Sequence, residues 1–321
     1  TEIIESDENF NPDDYIKPIL DGGIFRNKQY IMPFNYTTIV FLSVASKTDE
    51  IGFDMSKISD PLSFINEIVR TLPKAQESPL FKSMVNGGMW LNLHLSSGVQ
   101  IVDFEANTIL PMEAELEELV KAYKPYQPFD DVLRPGYGWY DELASHLLNG
   151  TAIFGQVWGI TDFIMLAGQL NSVADIQINV LSDIHGKTHV STALGAAIRS
   201  GSPNTQNAWN FIKLLLSQEY QSSDAILNIP VHKNSILVKI EKMYNQFDEV
   251  PVGGFITAKL SADEIEKYIE YITNINQSII FGSWQANTMF VEHMEYFYTG
   301  KLSYEETING LKNQLQIYIS E

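Results

Sequence analysis

Ala196-Ala197-Ile198-Arg199-Ser200-Gly201-Ser202-Pro203-Asn204-Thr205-Gln206-Asn207-Ala208-Trp209-Asn210-Phe211-Ile212-Lys213-Leu214-Leu215 is the stretch on which the reading of this chain turns. It opens as the end of a short strand, passes through a polar turn, and continues as a helix. Ser202 offers an N-cap hydroxyl, and Pro203 suits the first helical position, where no backbone donor is needed. Ala208, Phe211, Ile212, Leu215 and Leu216 then recur at helical spacing, with Trp209 beside them. The spacing predicts one amphipathic helix docked on a sheet, with Trp209 as packing on its apolar face.

Working outward, short apolar runs alternate with longer helical ones, which predicts an α/β fold. Strands are expected at Gln29–Pro33, Thr38–Val44, Ile101–Phe104, Ala152–Val157, Ile176–Leu181 and Leu194–Ile198. A helix should open at Asp60-Pro61 and bury Ile65, Ile68, Val69 and Leu72; another, Met112–Tyr123, should bury Leu116, Leu119, Val120 and Tyr123. Ser261-Ala262-Asp263-Glu264 and Ser303-Tyr304-Glu305-Glu306 are capping boxes, each followed by an apolar stripe. The acidic opening, Glu2 to Asp14, is expected to be solvated.

At 321 residues the chain is long enough for two lobes with cores of their own. Hydrophobic content of 45% and charged content of 19% are those of a folded globular protein. A net charge of −19, with 21 Lys and Arg scattered and never clustered, argues against nucleic acid and against anionic lipid as partners. Without cysteine there are no disulfides, thiol nucleophiles or Cys-based metal sites. No run of 18 apolar residues would span a membrane. The chain starts Thr1-Glu2-Ile3, without an initiator Met or a leader, as expected of a mature, cleaved or excised segment.

Patterns that suggest chemistry are few. His185-Gly186-Lys187-Thr188-His189 has the spacing of two ligands on one helical face, but Gly186 and Thr188 disfavour a helix, and no third ligand is near in sequence. Asp13-Asp14, Asp130-Asp131 and Glu305-Glu306 are adjacent acids whose side chains point apart on a helix or strand. Gly136-Tyr137-Gly138 lacks the third glycine and the preceding strand of a dinucleotide site. Neither a phosphate-binding loop nor a nucleophile elbow is present. No cofactor, no metal and no enzyme activity are expected.

Several segments, in order, resemble the family 1 extracellular solute-binding proteins of ABC importers. The strand, Ser/Asn-rich turn and Ala208-Trp209-Asn210-Phe211 helix resemble that family's. So do Asp21-Gly22-Gly23 with Gln29-Tyr30-Ile31-Met32-Pro33, and Leu147-Leu148-Asn149-Gly150-Thr151-Ala152-Ile153-Phe154. Gln218-Glu219-Tyr220-Gln221 with Ile229-Pro230-Val231, and the closing Gly300-Lys301-Leu302-Ser303-Tyr304-Glu305-Glu306, complete the set. Two departures stand out. Ser43-Val44-Ala45 replaces the family's Tyr-Asn-Lys, and a domain-sized βαβ segment that normally precedes the Gly22 region, roughly 100 residues, is not in this chain.

The resemblance implies a periplasmic-binding-protein-like (type II) α/β fold of two lobes joined by hinge strands, the N-terminal lobe incomplete. Residues 1–36 plus 195–228 would form the remainder of the N-terminal lobe, and 37–194 plus 229–321 the C-terminal lobe. It implies non-catalytic binding of a small solute, a carbohydrate foremost, for delivery to an ABC permease. Such a protein is extracellular or periplasmic, usually monomeric, and tethered through a lipidated Cys upstream of Thr1. Ligand positions carried across are Asn35 and Tyr36 after the first crossing, Gln156 and Trp158 after the Ala152–Val157 strand, Tyr137 and Trp139 in a Gly-flanked loop, Trp90, and Trp284. Each of these aromatics has packing as its alternative. The alternative function is a cell-surface or sensory receptor or scaffold domain that keeps the fold without transport, which the loss of Tyr-Asn-Lys favours. A glycoside-active enzyme would need two carboxylates facing across a cleft.

Overall fold

The computed structural model describes residues 2–71, 81–83, 97–111, 114–125, 131–132, 139–183, 185–246, 260–279 and 282–320. In chain order its strands are β1 (Ile24–Phe25), β2 (Lys28–Gln29), β3 (Met32–Thr37), β4 (Val40–Val44), β5 (Phe81–Ser83), β6 (Val102–Asp103) and β7 (Thr108–Ile109). They continue with β8 (Asp131–Val132), β9 (Phe154–Val157), β10 (Ile176–Asn179), β11 (His189–Ala196), β12 (Ile229–Pro230) and β13 (Gln277–Ile279). The longer helices are α1 (Pro61–Thr71), α2 (Ala114–Tyr123), α3 (Trp139–Asn149), α4 (Ile160–Asn171), α5 (Thr205–Leu216), α6 (Lys233–Gln246), α7 (Ala262–Thr273), α8 (Gly282–Tyr298) and α9 (Tyr304–Ser320).

Two compact units share these elements, the first comprising Thr1–Val40, Val157–Val173 and Thr188–Ile279, the second Phe41–Gln156, Ala174–Lys187 and Ile280–Glu321. The chain therefore passes between them after Val40, Gln156, Val173, Lys187 and Ile279. This division differs from the one the resemblance implied: residues 37–40, 157–173, 188–194 and 229–279 belong with the first unit.

In the first unit the sheet order is β12-β3-β11-β13, with β3 antiparallel to β12 and β11, and β13 parallel to β11. Helix α4 is buried at Ile160 and from Phe163 through Leu170, which explains a sequence apolar nearly all round. Its Phe163 ring lies flat on Tyr268 of α7, 3.8 Å between centroids. The capping box at Ser261 is formed, Ser261 Oγ accepting from Glu264 N while Glu264 accepts from Ser261 N. Between β1 and β2, Arg26 and Asn27 both sit at positive φ (48° and 60°), the left-handed pair of a tight hairpin. Gly23 must be glycine, since a Cβ there would come within 1.7 Å of Ile31 O.

Helix α5 departs from expectation in two ways. It begins at Thr205 with Asn204 at the N-cap, and Ser202 instead accepts from Asn204 N through its hydroxyl, tightening the turn before the helix. Its buried face is Trp209, Ile212 and Leu216, while Phe211 and Leu214 face solvent. The face is fixed from the far N-terminus. Phe10 packs 5.3 Å from both Tyr15 and Trp209, and Asp7 Oδ2 accepts from Trp209 Nε1 (2.7 Å) and from Lys213 Nζ (2.6 Å). Those donors hold the Asp7 carboxyl down at about 2. The acidic opening is thus not wholly solvated.

The second unit carries the sheet β10-β4-β9-β5-β8, in which β5 runs parallel to β9 and β8, and β10 antiparallel to β4. Strands β4 and β9 are buried throughout, as strands covered on both faces are. Phe41, Phe53, Phe64 and Phe154 form one aromatic cluster with neighbouring centroids 4.9 to 6.0 Å apart. Helix α1 buries Phe64, Ile65 and Ile68 but turns Val69 outward. Glu67 is buried in its place, paired with Arg70 and accepting from Asp54 N (2.9 Å), which keeps its carboxyl at about 2. Ser43 is buried within β4, its hydroxyl bonded to Gln177 of β10 (3.1 Å), so the departure from Tyr-Asn-Lys falls inside a packed strand.

Candidate functional site

The strand-to-helix junction Val157-Trp158-Gly159-Ile160 belongs to the first unit. Gly159 is the N-cap of α4, extended at φ −149° and ψ 176°, and supplies no capping side chain. Trp158 N instead approaches Asp162 Oδ2 at 3.4 Å. The Trp158 side chain is half-buried, and its indole Nε1 is shielded from solvent with no hydrogen-bond partner among the described residues. A buried donor left unpaired costs stability, about 1–3 kcal/mol, so an acceptor is expected to meet this one.

Loop 222–228 lies against that junction. A Cβ built on Gly159 would sit 3.8 Å from Leu227 O and 3.9 Å from Asn228 Cα. Lys239 of α6, only 6% exposed, donates from Nζ to Ser223 O (3.2 Å) and to Ile226 O. Lys242 Nζ holds Asp224 through both carboxylate oxygens (2.7 and 2.8 Å), and Ile226 is buried. Burial lowers the Lys239 pKa from its ordinary value, a pull opposed by the Asp224 carboxylate. Leu227, by contrast, is 79% exposed, and the half-buried Asn228 amide makes no hydrogen bond among the described residues.

Gln221 ties this loop to the sheet. Its Nε2 donates to Phe34 O (2.8 Å) and Leu215 O (2.7 Å), and its Oε1 accepts from Val231 N (2.9 Å) and, at longer range, from His232 N (3.4 Å). Strand β12 then pairs with β3, Ile229 opposite Tyr36 and Pro230 opposite Asn35. Asn35 is buried and its Oδ1 has no partner among the described residues. Tyr36 is fully buried, and its hydroxyl donates to Ile272 O, a carbonyl in the last turn of α7. Its ring serves the core.

The sequence-chosen residues thus divide. Asn35, Tyr36 and Trp158 lie in the first unit, connected through β3, β12 and loop 222–228. Gln156 is buried in β9 of the second unit, Trp139 opens α3, and Trp284 lies in the first turn of α8, also in the second unit. Tyr137 and Trp90 fall outside the described residues. Leu227, Asn228 and Lys239 were not singled out from the sequence. The turn-forming residues Ser222-Ser223-Asp224 are a loop signal, but nothing local shows what the loop packs on. His185 sits in a turn closed by Asp183, and His189 opens β11. Among the described residues no group of three or more His, Asp or Glu is placed to hold a metal.

No protein-family model and no curated protein matches this sequence. Solved structures do. MalE, the sugar-binding protein of Xanthomonas citri, is 13% identical with a TM-score of 0.67 over 100% of this chain and 78% of its own. The ABC substrate-binding protein Lmo0181 of Listeria monocytogenes, solved with cycloalternan, is 14% identical with a TM-score of 0.60 over 99% and 79%. Maltose-bound T. maritima MalE3 is 13% identical with a TM-score of 0.58 over 98% and 79%. The fold is therefore periplasmic-binding-protein-like, an α/β architecture shared over nearly the whole chain with sugar-binding proteins of the MalE kind.

Proposed function

We propose that this chain binds a small solute, a carbohydrate foremost, makes and breaks no bond in it, and delivers it to the permease of an ABC importer. The observation that carries the reading is Trp158: an indole whose buried N–H has no partner among the described residues, on a fold whose similar structures hold cycloalternan and maltose. The chemistry suits a sugar. A pyranose ring presents apolar C–H faces to an indole and a fringe of hydroxyls to polar groups, and the Trp158 N–H and the Asn228 amide are such groups. Asn35 Oδ1, buried in β3 and without a partner among the described residues, is a further acceptor of the same unit.

In this reading the protein acts as an extracellular or periplasmic monomer, tethered through a lipidated Cys upstream of Thr1. Isothermal titration against maltotriose, cellotriose and chitotriose tests it. Binding of at least one with a Kd below the millimolar range is expected, and Trp158→Ala should weaken it by about thirtyfold, the loss of roughly 2 kcal/mol usual for a buried aromatic anchor. Silence from all three, with amino acids and peptides bound instead, would redirect the reading to another solute. Silence throughout would end it.

A further inference from the structure

The geometry points to loop 222–228 as a rigid ligand-contacting wall beside Trp158, with Leu227 and Asn228 as its contact residues and Lys239 as the residue that positions it. This rests on the carbohydrate-binding reading and adds the residues that would set its selectivity. Three observations converge. First, the backbone of Leu227 and Asn228 comes close enough to Gly159, the residue that follows Trp158, that a Cβ there would just touch it. Second, the loop is held far more firmly than a surface connection needs, with the Lys239 ammonium buried under it and bonded to the carbonyls of Ser223 and Ile226, and Lys242 clamping Asp224 from outside. Burying an ammonium is costly, and here its hydrogen bonds are made to two carbonyls of this loop.

Third, what the loop displays is out of keeping with a solvated turn. Leu227 is 79% exposed, while Ser222 Oγ is buried without a partner and the Asn228 amide is unbonded among the described residues. An apolar side chain and a spare amide on a fixed backbone, close to the residue that follows an indole with a spare donor, match one apolar sugar face and its flanking hydroxyls. Rigid presentation favours binding because little ordering remains to be done when the ligand arrives.

Leu227→Asp is the primary test, because so exposed a side chain contributes nothing to the core. The thermal midpoint should stay that of the wild type while the Kd for maltotriose, cellotriose or chitotriose, whichever the wild type binds, rises by about tenfold, the loss expected from an uncovered leucine contact. Lys239→Met should speed amide hydrogen exchange across residues 222–228 and weaken the same sugar, leaving exchange in β11 unchanged. Wild-type binding that Leu227→Asp does not alter overturns the wall while sparing the carbohydrate reading. A wild type silent towards all three sugars overturns both. Exchange across 222–228 unmoved in a folded Lys239→Met protein removes the positioning role, and a Lys239→Met chain that fails to fold leaves Leu227→Asp decisive.

Discussion

Gln221→Leu should cost this protein about 3–5 kcal/mol, and the figure follows from its four bonds. Gln221 is fully buried. Its amide supplies donors to Phe34 O and Leu215 O and an acceptor to Val231 N, with distances of 2.7 to 2.9 Å, plus the weaker contact to His232 N at 3.4 Å. Leucine has similar volume but meets none of these groups. The Val231 N–H is left buried without its acceptor and the half-buried Phe34 and Leu215 carbonyls each lose a donor, at about 1–3 kcal/mol apiece; spare lone pairs on the two carbonyls and the gain from an added apolar side chain bring the sum toward the lower half of the resulting range.

Against a total stability of about 5–15 kcal/mol, such a loss is a large fraction. Urea unfolding followed by far-ultraviolet circular dichroism reads it as a lower midpoint at unchanged slope. Gln221→Glu supplies the control. Ionised, it keeps the acceptor for Val231 N but loses both donors and aims a carboxylate at two carbonyls, so it should be at least as damaging near pH 8 and partly relieved near pH 5. A leucine variant within 1 kcal/mol of wild type would refute the idea that this side chain locks β3, β12 and the end of α5 together.

Three further outcomes are expected. Asp7 has its carboxyl lowered to about 2 from an ordinary 3.8, so its contribution is present above the unfolded value and fades as pH falls from 3.8 toward 2; acid titrations of wild type and Asp7→Asn should differ in stability at pH 6 and converge near pH 2. Tyr36→Phe, which strips the hydroxyl from Ile272 O, should cost about 1–2 kcal/mol in thermal or urea unfolding and leave sugar affinity unchanged, whereas a ligand-contacting Tyr36 would lose affinity as well. Ser261→Ala, opening a formed capping box, should lower stability by about 1 kcal/mol, with the fastest-exchanging amides confined to the first turn of α7.

The sequence is most legible where structure is made by near neighbours. Both capping boxes follow from residues three apart, and both are formed as read. The runs that become β4 and β9 are apolar enough to announce buried strands, although each strand starts two residues later than its run. Helix α5 shows the limit. Its existence was plain, but its buried face is rotated toward Trp209 because Asp7 and Phe10, some 200 residues away, decide which side is covered. Val69 and Glu67 trade places in α1 for the same kind of reason, since Arg70 and the Asp54 amide offer the carboxylate a site no periodicity reveals.

At the candidate site Trp158, Gln221 and Pro230 were pointed to by the resemblance, through the residue after the Ala152–Val157 run and the Gln218–Gln221 and Ile229–Val231 segments. Loop 222–228 was not, because its meaning lies in Lys239 beneath it and Gly159 beside it. Asn35 and Tyr36 are adjacent letters with different fates. Tyr36 faces α7 and caps its end, while Asn35 is left buried with an oxygen unmet among the described residues.

The interleaving of the two units constrains how the chain can acquire its structure. Among the described residues strand β3 pairs with β11 and β12 alone, and Thr37 meets Ser191 across 154 residues. A nascent chain leaving the ribosome cannot close the first sheet until most of the second unit has been synthesised, so the edges of β3 stay open throughout. Such distant pairing makes for slow, late folding with a long exposed interval. Chain release after Lys187 would strand β3 with neither neighbour, and its unsatisfied edges would then be a target for aggregation or for a chaperone's grip.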